Sequence, residues 1–263
     1  MPWQTLLQRR ERMPANPDLA EGFANLLLEL GAVTPFELAV AGGRLMATPG
    51  LAFLVGYQAA LRMLWPSAPQ SLGALCATEQ RSLRPADMQT RLSELRLSGR
   101  KDFVTAGDAA DWLLIAARSE EPGDDPRLSL AVVYPGEAGV QVEKLPPMPL
   151  MPDISHGRLL LDNALCELLA GDGWDAYVKP FRSLEDLYVL SALCAWLYGV
   201  GLVSGWPQSL QLRLISLLAG CAEGSRLCAD TVACHLLLGG LFAQFAGLRE
   251  EINRALLASN GQW

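Results

Sequence analysis

Histidine occurs only twice in the 263 residues, and none of the six cysteines stands in a Cys-x-x-Cys pair. Structural zinc sites need such ligands clustered at short spacing, and disulfide scaffolds need dense, paired cysteines, so neither a metal site nor a disulfide framework is expected. Cys76, Cys166, Cys194, Cys221, Cys228 and Cys234 lie in apolar surroundings and read as reduced core cysteines. Basic charge is also short. The 21 Lys and Arg against 28 Asp and Glu leave a formal charge of −7, which argues against a general nucleic-acid binder. One local exception runs from Arg81 to Lys101, where six basic residues face only Asp87 and Glu94; it reads as a hydrated sheet face. The opening "MPWQTLLQRRERMPANPDL" has no apolar run followed by a small-residue cleavage site, so a cytoplasmic location is the expectation.

What the chain has is apolar residue, 51% of the total, enough for a large core. The longest charge-free run, "LYVLSALCAWLYGVGLVSGW" from Leu187 to Trp206, is 20 residues and meets the length of a membrane-spanning helix. It contains Ser191, Gly199, Gly201, Ser204 and Gly205 and has no basic cluster at either end, so a buried bundle helix is expected instead, with no membrane contact.

Periodicity divides the chain in three. Residues 1–74 read as helical: "PDLAEGFANLLLELGA" with Asn16 as cap, "TPFELAVAGGRLMA" with the capping-box order Thr34 to Glu37, and "TPGLAFLVGYQAALRMLWP". Residues 75–170 turn to a period of two between glycine, proline and aspartate breaks, suggesting short hairpin-linked strands in an antiparallel sheet that curls towards a barrel. In it "RLSELRLSG" turns at Ser98-Gly99, and the non-alternating "DWLLIAARS" reads as a strand covered on both faces. Residues 171–263 return to helix, with Ser183 as the expected cap of a helix whose first turn holds Arg182, Glu185 and Asp186. His156 in a loop and His235 on an apolar helix face read as structural. The order is α+β, a β-domain between helical segments.

Leu97, Gly99, Lys101, Phe103, Val104, Thr105 and Ala106, followed by Ala110-Asp111 and an apolar strand, together with Ala77-Thr78-Glu79 upstream, resemble the acyl-CoA dehydrogenase family. The likeness runs from about residue 50 to 200. It implies the family's fold, here with N-terminal helices, a central antiparallel β-domain and a shortened C-terminal helical bundle. It implies FAD as cofactor, with Phe103 packing on the flavin ring system, Thr105 bonding near its reactive nitrogen and Thr78 approaching its pyrimidine edge. Without the resemblance, Phe103 reads as a core aromatic and Thr105 as an ordinary strand residue.

Departures shape the functional expectation. Where the family has a glycine-hydroxyl-aspartate turn, this chain has Arg84-Pro85-Ala86-Asp87. The family's glycine-rich "Q-x-x-G-G-x-G" segment does not occur; the Gly239-Gly240 pair stands in an apolar helix. No catalytic glutamate is recognisable, since Glu223, Glu250 and Glu251 stand in helix-end or surface contexts, and the catalytic residues are therefore unknown. The expectation is an acyl-CoA dehydrogenase-like flavoprotein scaffold with degenerate chemistry, acting as a binding or assembly module. The alternative is an active FAD-dependent oxidoreductase on the CH-CH group of an acyl thioester such as an acyl-CoA. Two strongly apolar helices, around Leu187 and His235, add the expectation of a homodimer or a protein partner.

Overall fold

A computed structural model describes residues 3–8 and 11–259. It divides into two compact units, one of Asn16–Asn25 with Leu64–Phe181, the other of Met1–Ala15, Leu26–Met63 and Arg182–Trp263.

In chain order the helices are α1 (Trp3–Leu6), α2 (Leu19–Leu30), α3 (Pro35–Leu45) and α4 (Pro49–Leu64). Their starts are written in side chains that satisfy the free N–H groups of a first turn. Thr34 and Glu37 form the expected reciprocal capping box on α3, and Thr48 Oγ1 accepts from the Leu51 N–H at 3.1 Å on α4. For α2 the cap is Asp18, not Asn16. Asp18 Oδ1 accepts from Ala20 and Glu21, while Asn16 accepts from the Asp18 N–H and so sets the turn before the helix.

The β-unit is one sheet of eight strands: β1 (Gly73–Cys76), β2 (Arg91–Ser93), β3 (Arg96–Thr105), β4 (Trp112–Arg118), β5 (Leu128–Val133), β6 (Val140–Lys144), β7 (His156–Leu165) and β8 (Glu167–Leu168). Its order is β6-β7-β3-β2-β4-β5-β8, with β1 also on β4. Most pairings are antiparallel, but β1 and β2 run parallel to β4 and share its edge end to end, β1 on Trp112 to Ile115 and β2 at Arg118. All but the last residue of β4 are buried, which matches its lack of alternation. One face adds Leu113, Ile115 and Ala117 to a core with Leu97, Val104, Val133, Leu159 and Leu161. On the other, Trp112 meets Trp65 edge-on, ring centroids 5.4 Å apart.

The β2–β3 turn is not at Ser98-Gly99. It is Glu94-Leu95, both with positive φ (50° and 60°), the backbone that matches strand twist in a two-residue hairpin. Gly99 lies inside β3 with φ 145°, and a Cβ there would come 2.6 Å from Thr90 Cα, so its smallness serves close strand approach.

The other unit is helical, with α5 (Lys179–Ser204), α6 (Gln208–Gly224) and α7 (Val232–Ala258) following the α3–α4 pair in the chain. α5 begins at Lys179, directly after a π-helical turn over Trp174–Val178, so Ser183 is not its cap but a buried residue inside it. The apolar run of α5 is used within the unit: α3 approaches so closely that a Cβ on Gly43 would meet the Ala192 carbonyl oxygen at 2.3 Å.

Replacing Gly99 by alanine combines a strained φ with a backbone clash on Thr90. A loss of about 2–3 kcal/mol in urea unfolding is expected, against about 1 kcal/mol for Gly123→Ala in the β4–β5 connection, where φ is also positive but the space is open.

Candidate functional site

Thr78, Phe103 and Thr105 are brought together at one end of the β-unit. Thr78 follows β1, and its carbonyl accepts from the Asp102 N–H at 3.0 Å, which seats it against β3. Phe103 and Thr105 are two residues apart on the same strand. Their orientation comes from a bulge in the β3–β7 pairing, where Asp102 and Phe103 together stand opposite Arg158 alone. Lys101 and Val104 therefore both turn inward and are fully buried, whereas Phe103 is turned out and 39% exposed. Thr105 pairs with His156 across the strands and is buried.

His156 is the first residue of β7, not a loop residue, and its ring stacks on Phe103 with centroids 4.6 Å apart and planes 30° apart. Burial pulls its pKa below the ordinary value, against the Ile154 carbonyl and the Asp108 carboxylate, which favour the charged ring. A neutral imidazole thus backs one face of Phe103 and leaves the rest of that ring open.

Under this rim lies an ion pair. Lys101 Nζ meets Glu79 Oε1 at 2.6 Å with both side chains buried, and the Glu79 carboxylate also accepts from the Gln89 and Thr90 N–H groups at 2.5 and 3.2 Å. Burial disfavours the charged carboxylate, but Lys101 and these hydrogen bonds outweigh it and hold its pKa below the usual range. Glu79 is therefore structural. Between it and Ser82, Gln80 and Arg81 take positive φ in a tight two-residue turn, and the Gln80 N–H donates to Asp102 Oδ2 at 2.6 Å. The Arg84-Pro85-Ala86-Asp87 segment forms a 3₁₀ turn over Pro85–Asp87, with Ser82 Oγ donating to Asp87.

Half of the basic stretch is paired: Lys101 with Glu79, Arg91 with Glu120, and Arg100 with Asp102, the two arginines remaining partly exposed. A separate cleft of about 750 Å³ opens in the same unit between the start of α2, the β3–β4 turn and the β6–β7 loop. Its Asp108 is bridged by Lys144 Nζ at 3.0 Å and by Ser155 Oγ, and none of the three rim residues lines it.

In the helical unit one residue expected in a helix-initiating turn has a different setting. Glu185 sits well inside α5 rather than in a first turn, and burial, helped by Asp186, pushes its carboxyl up to about 7. The clue was there in the sequence, since a glutamate two residues before "LYVLSALCAWLYG" stands at the edge of a fully apolar helix. Of the two histidines, His235 is exposed on α7, not a core residue. Five cysteines are buried and all six are free thiols; Cys228 is exposed.

No family model matches the sequence, and no curated protein matches it. Solved structures do. The prolyl acyl carrier protein oxidase AnaB superposes with a TM-score of 0.66 at 14% identity, covering 99% of this chain and 92% of that one. Butyryl-CoA dehydrogenase from Megasphaera elsdenii gives 0.58 at 12% identity, covering 93% and 83%. The FAD complex of PigA gives 0.52 at 17%, covering 99% and 79%. The chain has the acyl-CoA dehydrogenase fold, as its helix–sheet–helix order and the Leu97 to Asp111 motif implied. At these identities the likeness is one of fold.

Two outcomes follow from the buried acids. Lys101→Met strands the Glu79 carboxylate and should cost about 3–5 kcal/mol in denaturant unfolding, most of it recovered when Glu79→Leu is added. Glu185 works in the opposite sense. Its ordinary value is 4.5 and its folded value about 7, so folding takes up a proton between these and stability falls as pH rises through that window. Glu185→Gln should match the parent near pH 4 and exceed it by about 2 kcal/mol above pH 7, read from melting curves across pH.

Proposed function

We propose that the chain is a flavin-binding oxidoreductase of the acyl-CoA dehydrogenase fold, acting beside the carbonyl of an acyl thioester. The observation that carries this is the rim: a bulge presents the Phe103 ring outward on the strand that also holds Thr105, with the Thr78 carbonyl accepting from the Asp102 N–H just before Phe103. The residues fit a flavin. An open aromatic face backed by a neutral imidazole suits a planar heteroaromatic ring, and Thr78 and Thr105 stand near it in the backbone as residues that carry hydroxyls. A bound flavin would supply a two-electron acceptor that no side chain provides.

The acyl thioester class is supported by the names of two structural neighbours, one a butyryl-CoA dehydrogenase and the other an acyl carrier protein oxidase. A fold alone does not assign a reaction, so the reading rests on the rim and on those names together.

Titration of the purified chain with FAD, followed by addition of acyl-CoAs of several chain lengths, tests both parts. A perturbed flavin spectrum is expected, weakened about tenfold in affinity by Phe103→Ala and by Thr105→Val, a difference of about 1.4 kcal/mol each. Acyl-CoA should bleach it. No spectral change on adding FAD would sink the flavin reading. Bound flavin that no acyl-CoA bleaches would leave a non-catalytic binding or assembly module.

A further inference from the structure

The helical unit encloses a cation that no acceptor meets. Arg44, in the last turn of α3, is fully buried, and none of its Nε, Nη1 and Nη2 atoms has a hydrogen-bond partner among the described residues. A guanidinium is all donor and keeps its charge in proteins, so burial without acceptors is among the costliest settings a side chain can take. The chain nevertheless makes room for it. Gly199 of α5 lies against the group, and a Cβ there would come 2.7 Å from Nη1 and 3.0 Å from Cζ, so a larger residue at 199 would displace the guanidinium.

A second guanidinium stands near it. Arg12 donates through Nη1 to the Met46 and Ala47 carbonyls at 3.1 and 3.4 Å and through Nη2 to the Trp196 carbonyl at 3.1 Å. Its Cζ lies 5.1 Å from the centre of the Trp196 ring. These contacts fasten it between the residues just after α3 and the middle of α5, the two helices that carry Arg44 and Gly199. The two charges feel each other: burial first, then the Arg44 charge, pulls Arg12 down to about 10. Carbonyl dipoles and a ring face attract a cation, but they do not cancel its charge.

The acceptor that suits this place carries negative charge. Water offers acceptors, yet it brings donors with it and leaves both charges standing. The junction is also tight, since a Cβ on Gly43, next to Arg44, would meet the Ala192 carbonyl oxygen at 2.3 Å. An ion of a single atom fits such a helix crossing better than a phosphate or a chain carboxylate does.

We propose that Arg44 and Arg12 form a binding site for a small monovalent inorganic anion, a halide such as chloride, held between the end of α3 and the middle of α5. The bound ion satisfies Arg44, offsets the repulsion between the two arginines and ties the helices together. The proposal does not rest on the flavin reading, since every residue in it belongs to the helical unit.

Melting curves of the full chain at constant ionic strength, with chloride exchanged for gluconate, test the site. The parent's midpoint should rise by about 5 °C at about a hundredfold excess of chloride over its dissociation constant. Arg44→Met should lose that rise and reverse the order of stability. Without chloride it should melt at or above the parent, because an uncompensated charge is gone, and in saturating chloride below it. Should Arg44→Met not fold, Arg44→Lys stands in for it: with a charge but no fork, it should need several-fold more chloride for the same rise, and an unchanged dependence counts against the site. Crystals of the parent grown in bromide should show an anomalous peak at hydrogen-bonding distance from the Arg44 guanidinium. A parent whose midpoint follows chloride no more than that of Arg44→Met, an ordered water at Arg44 in place of bromide, or bromide at surface residues alone, an adventitious ion only, would each overturn the proposal.

Discussion

Lys101 can be inside the β-unit only because Glu79 is there to meet it, and much of the rim depends on that encounter. A lone ammonium of this burial would lose its hydration without return. Glu79 returns a 2.6 Å ion pair and, through its second set of contacts, holds the Gln89 and Thr90 backbone as well. Three segments far apart in sequence are thereby pinned at one point: the end of β1, the approach to β2 and the middle of β3. Thr90 then lies against Gly99, so the close strand contact and the buried pair support each other. Since burying an ion pair is rarely a net gain in stability, its value here is positional: it fixes which way β3 faces just before the bulge.

That bulge converts a buried strand into a presented surface. With regular alternation Lys101, Phe103 and Thr105 would share a face, and an aromatic on the ammonium's side would be core. The extra residue opposite Arg158 breaks the alternation so that Lys101 and Val104 go in while Asp102 and Phe103 come out. His156, registered with Thr105, arrives beside Phe103 on the outer side and stacks there. The imidazole gives the ring a firm backing with no charge of its own at neutral pH, and Asp102 is held away from it by Arg100 and the Gln80 N–H.

How much of this was legible follows from how local each signal is. Helix caps are written within three residues, and the Thr34–Glu37 box on α3 formed as its sequence order implied. The word from Leu97 to Ala106 carried the fold because its glycine, lysine and aromatic all have fixed duties in it. The β2–β3 turn was misplaced because Ser-Gly is better turn chemistry than Glu-Leu; a close approach to Thr90 had already claimed the glycine, and the turn fell to residues with no preference for positive φ. The Lys101–Glu79 pair spans 22 residues and leaves no periodic trace. A bulge is equally silent, since it adds one residue without changing composition.

The carboxyls show why residue type alone could not assign chemistry. Glu79 and Glu120 are both enclosed by donors, Lys101 with two backbone N–H groups for the first, Arg91, Arg118 and the Arg127 N–H for the second, and both are held below the usual carboxylate range. Glu185 has burial without donors, and its proton affinity moves the other way, to about 7. In sequence all three are glutamates near apolar segments. What separates them is the partner count, which only the folded chain supplies: donors commit a carboxylate to structure, and burial without them raises its affinity for a proton.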